Sequence, residues 1–150
     1  MQRKIIPDVV RSQTLCCLAP GTTVRDAARI MAQRHIGAVM VTEGDRLLGI
    51  FTERDLAKKV VAASLDPDKV TIGDTMTPDP DTIAPDGTAD DALRMMRDHG
   101  YRHLPVMRDS RIVGMVSVRD LYDAVLSELE DEIHDRDAFI HGVGYGGPGD

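Results

Sequence analysis

The chain has few aromatic residues and no surplus of basic ones. Phe, Trp and Tyr make up 3% of its 150 residues, and 25 acidic side chains against 18 Lys and Arg give a formal net charge of −7. This charge would repel the phosphates of a nucleic acid, and no basic stripe interleaved with aromatics runs along the sequence. We therefore expect no nucleic acid polymer among the partners.

Long apolar runs are absent as well. No stretch of about 18 apolar residues occurs without a charge, so we expect no membrane-spanning segment. Near the beginning of the chain, Pro7 and Asp8 interrupt the apolar residues after two positions, which does not fit a signal peptide. We expect a soluble, cytoplasmic protein.

Cysteine is scarce too. The two that occur, Cys16 and Cys17, are adjacent, and neighbouring residues of a strand point to opposite faces. This spacing suits neither a metal site nor a redox C-x-x-C motif. We expect inert, partly buried thiols in a reducing compartment.

The chain does contain an internal repeat. Its length and its 42% hydrophobic content allow one core or two small fused ones. A shift of 65 residues, which carries Pro20 onto Pro85, aligns the two halves without a gap. The further identical pairs are Thr23/Thr88, Asp26/Asp91, Ala27/Ala92, Arg29/Arg94, Met31/Met96, Val41/Val106, Arg46/Arg111, Gly49/Gly114, Arg54/Arg119, Asp55/Asp120 and Leu56/Leu121. The sequence therefore predicts two copies of one unit.

Each copy is predicted to have the element order β-α-β-β-α. Apolar periodicity, hydroxyl caps and turn residues place the boundaries. The elements of the first copy are a strand at 15–18, a helix from Thr23 to near His35, strands at 37–41 and 46–51, and a helix capped by Thr52. Those of the second are a strand at 82–83, a helix from Thr88 to His99, strands at 103–107 and 111–116, and a helix from Ser117.

Proline and aspartate clusters at 66–68 and 77–80 mark the division between the copies. The last helix is predicted to extend beyond Leu129, and Gly142 to Asp150 to be disordered. The predicted organisation is a first repeat at 8–66, a linker at 67–75, a second repeat at 76–130, and a C-terminal helix with a flexible tail at 131–150.

Both copies place a hydroxyl and an acid three residues apart where a strand meets a helix: Thr52 with Asp55, and Ser117 with Asp120. One interpretation is a capping box, in which the two residues satisfy free amides of the first helical turn. Another is a ligand site, because a helix N-terminus attracts phosphate and a carboxylate can accept hydrogen bonds from ribose hydroxyls. Capping requires no basic residue, yet each copy adds an arginine before the acid, Arg54 and Arg119.

Over roughly residues 10 to 130, the two copies and their G-h-x-[ST]-x-x-D motifs resemble a tandem cystathionine-β-synthase (CBS) domain pair. The resemblance implies an α+β (α/β-like) fold in which two βαββα repeats pack by pseudo-twofold symmetry through their sheets. It also implies two clefts that bind adenosine derivatives: AMP before others, with ATP, NAD(H) or S-adenosylmethionine as further candidates. No cofactor is required.

The resemblance assigns residues to each cleft from both copies. Those of the first cleft are Thr52, Arg54, Asp55, Tyr101, Arg102 and His103. Those of the second are Ser117, Arg119, Asp120, Ile36, Gly37 and Ala38, with adenine against Met115 and the strand near Cys17. The loop of the second cleft lacks cations, so we expect unequal occupancy; which cleft is favoured stays open, as does a purely local structural role for His103.

Other patterns give weaker hypotheses. Gly142 to Gly147 fits G-x-G-x-x-G but lacks the strand and the helix that a dinucleotide fingerprint needs. The acidic cluster between Glu128 and Asp137 is interpreted as a solvated helix face. No spacing links either cysteine to a base, so we expect no catalysis.

Two functional hypotheses remain. The first is a regulator whose nucleotide occupancy changes contact with an unknown protein target. The second is a structural dimerisation module with vestigial clefts. A homodimer is expected in both cases, with Leu121, Val125 and Leu129 as candidate contacts.

Overall fold

The computed structural model describes residues 3–11, 13 and 15–144, with side chains up to residue 138. In the first repeat the elements are β1 (Cys17–Leu18), α1 (Val24–Arg34), β2 (Ala38–Glu43), β3 (Arg46–Thr52) and α2 (Glu53–Asp55), which continues as a wider helix over Leu56–Val61. The elements that follow are α3 (Ile72–Thr75), β4 (Thr77–Pro78), α4 (Ala89–His99), β5 (His103–Arg108), β6 (Arg111–Ser117) and α5 (Val118–Gly144).

The two hairpins have matching registers. In the first sheet β1 runs parallel to β2, the β2–β3 hairpin is antiparallel, and β4 adds to the other side of β3. Ala38 lies opposite Thr52 in the first hairpin, and His103 lies opposite Ser117 in the second. The strand predicted at 82–83 is reduced to one parallel bridge between Ile83 and Val106. The predicted α+β fold of two repeats is confirmed.

Hydroxyl caps begin the first long helix of each repeat, as the sequence predicts. Thr23 Oγ1 accepts from the N–H of Asp26 at 3.2 Å, and Thr88 Oγ1 accepts from the N–H of Asp91 at 3.1 Å. These bonds satisfy amides that have no partner within the helix. The first helix ends at His35, whose φ of 54° is left-handed, as is common just after a helix.

The core of each repeat includes a residue from the segment that precedes the other repeat in the chain. Ile5 is fully buried in the core of the second repeat, and Ile72 is fully buried in the core of the first. The backbone bonds are equivalent: Ile5 N–H donates to Gly87 O at 2.8 Å, and Ile72 N–H donates to Thr22 O at 2.9 Å. Gly87 and Thr22 correspond under the 65-residue shift, so the repeats are joined twice in a pseudo-symmetric way.

Helix α5 differs from the prediction in its length and in which of its apolar side chains are buried. It continues to Gly144, so Gly142 to Gly144 are helical rather than disordered, and residues 145–150 of the predicted tail lie outside the described residues. Leu121, a predicted dimer contact, is fully buried in the second core. Among the described side chains of α5, the large apolar ones that are exposed are Tyr122, Leu126, Leu129 and Ile133. No helix among the described residues has the length and apolar character to cross a membrane.

Candidate functional site

The first candidate corner joins β3 to α2. The Thr52 N–H and the Thr52 hydroxyl both donate to Asp55 Oδ2, at 3.0 and 3.1 Å, and the Asp55 N–H donates to Thr52 Oγ1 at 3.2 Å. These reciprocal bonds make a capping box. The structural interpretation of the motif is therefore confirmed at this corner.

The second oxygen of Asp55 is also engaged. Asp55 Oδ1 lies 3.1 Å from Lys59 Nζ and accepts from the Thr77 hydroxyl at 3.1 Å. Lys59 Nζ in turn donates to Met76 O at 3.0 Å. A carboxylate offers about four acceptor positions, and Asp55, which is only 6% exposed, has a donor for each.

The second corner, between β6 and α5, has the same box but a different carboxylate. The Ser117 N–H donates to Asp120 Oδ2 at 2.8 Å, and the Asp120 N–H donates to Ser117 Oγ at 3.1 Å. Within the described part of the chain, Asp120 Oδ1 accepts no hydrogen bond and forms no ion pair. The position that corresponds to Lys59 is Ala124, which is 7% exposed and has no charge to offer.

The first cleft lies between the first corner and the second repeat. It has a volume of about 420 Å³. The structure brings together the residues assigned to it: Thr52, Arg54, Asp55, Tyr101, Arg102 and His103. Sequence reasoning missed three acidic residues of its wall, Glu53, Asp79 and Asp81.

The second cleft lies on the other side of the same junction and has a volume of about 650 Å³. The predicted residues that line it are Ile36, Gly37, Ala38, Met115, Ser117, Arg119 and Asp120. Sequence reasoning missed Gln13, whose side-chain Nε2 donates to Met115 O at 2.8 Å and whose Oε1 accepts from Met115 N–H at 2.9 Å. Gln13 thereby occupies the edge of β6, where the first sheet has β4.

The lining of the second cleft differs from the expectation at one cysteine. Cys16 lines the cleft and is buried, whereas Cys17 is exposed and does not contribute to the wall. Adjacent residues of an extended chain point in opposite directions, so a shift of one position exchanges the two faces. Burial raises the pKa of the Cys16 thiol, against an opposing effect of Arg34.

The two corner arginines also differ. Arg54 Nη1 donates to the backbone carbonyl of Gly100 at 2.6 Å, which ties the first corner to the end of α4. Arg119 is exposed beside the second cleft and has no hydrogen bond or ion pair with any other described residue. The arginine of the first corner therefore has a structural partner, and that of the second is available to an anion.

Four residues form a wall shared by both clefts: Gly37, Glu53, Arg102 and His103. The loop of Ile36, Gly37 and Ala38 supplies no cation to the second cleft, as expected, but Arg102 of the second repeat lines this cleft as well as the first. Burial lowers the pKa of His103, while Glu53 and Asp120 raise it and Arg102 lowers it further. His103 thus lies between the acids of the two corners in a mostly neutral form at pH 7.

Tyr101 is part of a separate cluster at the rim of the first cleft. Its hydroxyl donates to Asp81 Oδ2 at 2.8 Å, and its ring stacks on His99 with centroids 5.5 Å apart. Burial and the bond to Asp81 raise the pKa of Tyr101. The hydroxyl predicted to face a ligand therefore already has a protein acceptor. Across the described ranges, no three His, Cys, Asp or Glu side chains converge to hold a metal ion.

Curated relatives share the same domain. A mitochondrial CBS domain-containing protein of Arabidopsis thaliana is 36% identical over 125 residues, which is 80% of this chain and 61% of that protein. A second CBS domain-containing protein of the same plant is 38% identical over 107 residues, 70% of this chain and 20% of that protein. The chain thus spans less than two thirds of the length of these relatives.

Solved structures agree with the fold. A CBS-domain-containing protein from Agrobacterium tumefaciens is 31% identical, with a TM-score of 0.73, and the match covers 80% of this chain and 98% of that one. A CBS domain protein from Pyrobaculum aerophilum in complex with AMP is 28% identical, with a TM-score of 0.70 and coverage of 80% and 94%. The family profile of the CBS domain matches twice, at residues 2–62 and 72–127. With two copies of the domain, the chain belongs to the CBS-domain family.

Proposed function

We propose that this chain is a non-catalytic regulatory module that binds an adenine nucleotide between its two CBS repeats, with AMP as the first candidate. The observation that carries the proposal is the second corner. There, a carboxylate oxygen and an arginine that have no partner among the described residues border a cleft of about 650 Å³. Structural capping alone uses neither feature.

The chemistry of the cleft suits a nucleoside phosphate. Asp120 Oδ1 can accept hydrogen bonds from the two adjacent hydroxyls of a ribose. Arg102 and Arg119 can donate charge-assisted bonds to a phosphate, and such bonds are about twice as strong as neutral ones. The apolar surfaces of Ile36, Ala38 and Met115 offer a place for adenine.

A third capping box helps to separate binding from folding. Thr88 and Asp91 make the same reciprocal bonds, at 3.1 and 3.4 Å, at the start of α4. Neither residue lines either cleft. A capping box can therefore bind a ligand only if it borders a cleft and its carboxylate is accessible. Substitution of Asp91, which borders neither cleft, provides a control for Asp55 and Asp120.

The AMP complex of the Pyrobaculum protein supports the choice of ligand. ATP, NAD(H) and S-adenosylmethionine stay within the proposal, since they share the ribose and the adenine of AMP. We propose that occupancy changes contact with a protein target, and that the chain works in a reducing, cytoplasmic setting. No reaction is proposed: the Cys16 thiol, which borders the second cleft, has a pKa raised by burial and is a poor nucleophile at neutral pH.

Titration calorimetry and thermal unfolding test this function. AMP should bind the wild type and Asp91→Asn equally and raise the unfolding temperature of both, because a ligand selective for the folded state stabilises it. Adenosine, ATP and NADH in parallel titrations rank the ligands. The absence of binding and of a thermal shift with all four compounds at millimolar concentration would refute nucleotide binding.

A second candidate function has its own observation. Tyr122, Leu126, Leu129 and Ile133 expose between 48% and 60% of their surface on α5, and this spacing places them along one side of the helix. A second copy of the chain could cover them, as a structural dimerisation module requires. Sedimentation of the wild type and Leu126→Ser should show a dimer that the substitution weakens; a wild-type monomer at all concentrations would exclude this function.

A further inference from the structure

The two clefts present different carboxylates to a ligand. Asp55 faces the first cleft with all its acceptor positions taken, two by Thr52, one by Thr77 and one by Lys59. A ribose hydroxyl could bind there only by displacing a protein donor. One of these donors is a charged ammonium group, and charge-assisted bonds are the hardest to replace with a neutral hydroxyl.

The ammonium group of Lys59 is bound by two acceptors. Its ammonium group contacts Asp55 Oδ1 at 3.1 Å and Met76 O at 3.0 Å, so two acceptors from different elements fix it. It follows Asp55 by four residues, and Asp and Lys at that spacing on a helix lie side by side. Lys59 does not line the first cleft. It therefore pairs with Asp55 from the side away from the cleft and does not offer its own charge to a phosphate.

The charges of the residues that line the two clefts also favour phosphate binding in the second cleft. The described lining of the first cleft has four carboxylates, from Glu53, Asp55, Asp79 and Asp81, against two guanidinium groups, from Arg54 and Arg102. The described lining of the second has two carboxylates, from Glu53 and Asp120, against the guanidinium groups of Arg102 and Arg119. Even with Asp55 paired to Lys59, a phosphate therefore meets an acidic excess in the first cleft and balanced charge in the second.

The helices at the two corners add a further difference. Helix α5 is a continuous α-helix of 27 residues, whereas α2 has three residues before the wider turns of Leu56–Val61. The aligned peptide dipoles of a long helix favour an anion at its N-terminus. This effect reinforces the open arginine and the open carboxylate oxygen of the second corner.

We infer that Lys59 closes the first cleft to ribose, and that the chain binds one nucleotide, in the second cleft. This inference rests on the proposed function and makes it more specific: Lys59 is a specificity-determining residue that sets the stoichiometry. Its counterpart, Ala124, leaves Asp120 open. Substitutions at positions 59 and 124 should therefore open the first cleft to AMP or close the second.

Calorimetric titration with AMP of four single variants and the wild type tests the inference. Lys59→Met retains the aliphatic part of the side chain and removes its charge, and Lys58→Met makes the same change at the neighbouring exposed position. The wild type and Lys58→Met should bind one AMP per chain, and Lys59→Met should bind two. Ala124→Lys places an ammonium group four residues after Asp120 and should weaken AMP binding at least tenfold, whereas Ala124→Met, a control for bulk at this buried position, should not.

The outcomes separate this inference from the function on which it rests. Two sites of similar affinity in the wild type, or one site in Lys59→Met, would overturn the role of Lys59 while leaving nucleotide binding intact. An equal loss in Ala124→Lys and Ala124→Met would show that bulk rather than charge controls Asp120, and would also overturn it. If no AMP binds to the wild type or to any variant, both the function and the inference fail.

Discussion

The corner at Thr52–Asp55 and the corner at Ser117–Asp120 have the same motif, the same register in their hairpins and the same capping bonds. They differ in what surrounds the acid. Lys59 and Thr77 complete the bonding of Asp55, while Asp120 keeps one oxygen without a donor from the described residues. The duplicated motif thus retains its capping role in both copies, while the neighbouring residues leave only the second carboxylate with an acceptor position that no described residue occupies.

The largest expected difference between the corners is in AMP affinity. Asp120→Asn should weaken binding by about 10- to 100-fold, because hydrogen bonds to a charged group contribute about 1.5–3 kcal/mol. Asp55→Asn should change the affinity less than about threefold, since Asp55 is already satisfied within the protein. Calorimetry on both variants, with Asp91→Asn as the control, checks this; equal losses at the two corners would mean that both carboxylates contact ligand.

The corner arginines should differ in a ligand-specific way. Arg119→Gln should weaken AMP binding by about tenfold and leave adenosine binding unchanged, because a charge-assisted bond to phosphate is lost. Arg54→Gln should leave both affinities unchanged and lower the free energy of unfolding by about 1 kcal/mol, through loss of its bond to Gly100 O. A fall in adenosine affinity in Arg119→Gln would speak against a phosphate contact.

In the absence of ligand, substitution at the first corner should lower the free energy of unfolding more than substitution at the second, which is the opposite of the order expected for AMP affinity. Asp55→Asn should lower the free energy of unfolding by about 2 kcal/mol, because a buried acid loses an ion pair and its hydrogen bonds are weakened. Asp120→Asn should cost about 1 kcal/mol, since it affects only a capping box. Urea unfolding of both variants and of Asp91→Asn gives the values. A greater loss in Asp120→Asn than in Asp55→Asn would contradict the contacts of Lys59 and Thr77.

The smallest expected effect concerns the shared wall. Burial lowers the pKa of His103 in the folded protein, where it faces Glu53, Asp120 and Arg102. The unfolded chain then binds a proton more readily, so stability falls as the pH drops below about 6.5. His103→Gln should remove part of this slope, at most about 1.4 kcal/mol per pH unit, and an unchanged slope in this variant would contradict the effect of burial on the ring.

Bound phosphate should act on His103 in the opposite direction. A negative charge beside the ring raises its pKa, so AMP should bind more tightly as the pH falls from 8 to 6.5, a range above the second pKa of the phosphate at about 6, and adenosine should not. Calorimetry at several pH values distinguishes the two ligands. The same pH dependence for AMP and adenosine would place the phosphate away from His103.

Local features of the fold were predictable from the sequence. Thr23 and Thr88 begin their helices, His35 ends the first one, and the hairpins lie where alternating apolar residues and turns place them. The repeat itself was visible because identical residues recur at one spacing. These features depend on neighbours in the chain, which a sequence displays directly.

Features that depend on tertiary packing were not predictable in the same way. The exchange of Ile5 and Ile72 between the repeats joins residues far apart in sequence. Leu121 was expected on the surface, but the direction in which α5 docks turns it inwards and leaves Tyr122 exposed. The i,i+4 spacing of Asp55 and Lys59 was a signal that could have identified the ion pair of the first corner, since it is missing from the second copy.

A crystal structure of the chain grown with saturating AMP would show which carboxylate the ribose contacts. We expect one nucleotide per chain, with a ribose hydroxyl within hydrogen-bond distance of Asp120 Oδ1 and Lys59 still paired with Asp55. A nucleotide whose ribose contacts Asp55, or equal occupancy of both clefts, would contradict this expectation.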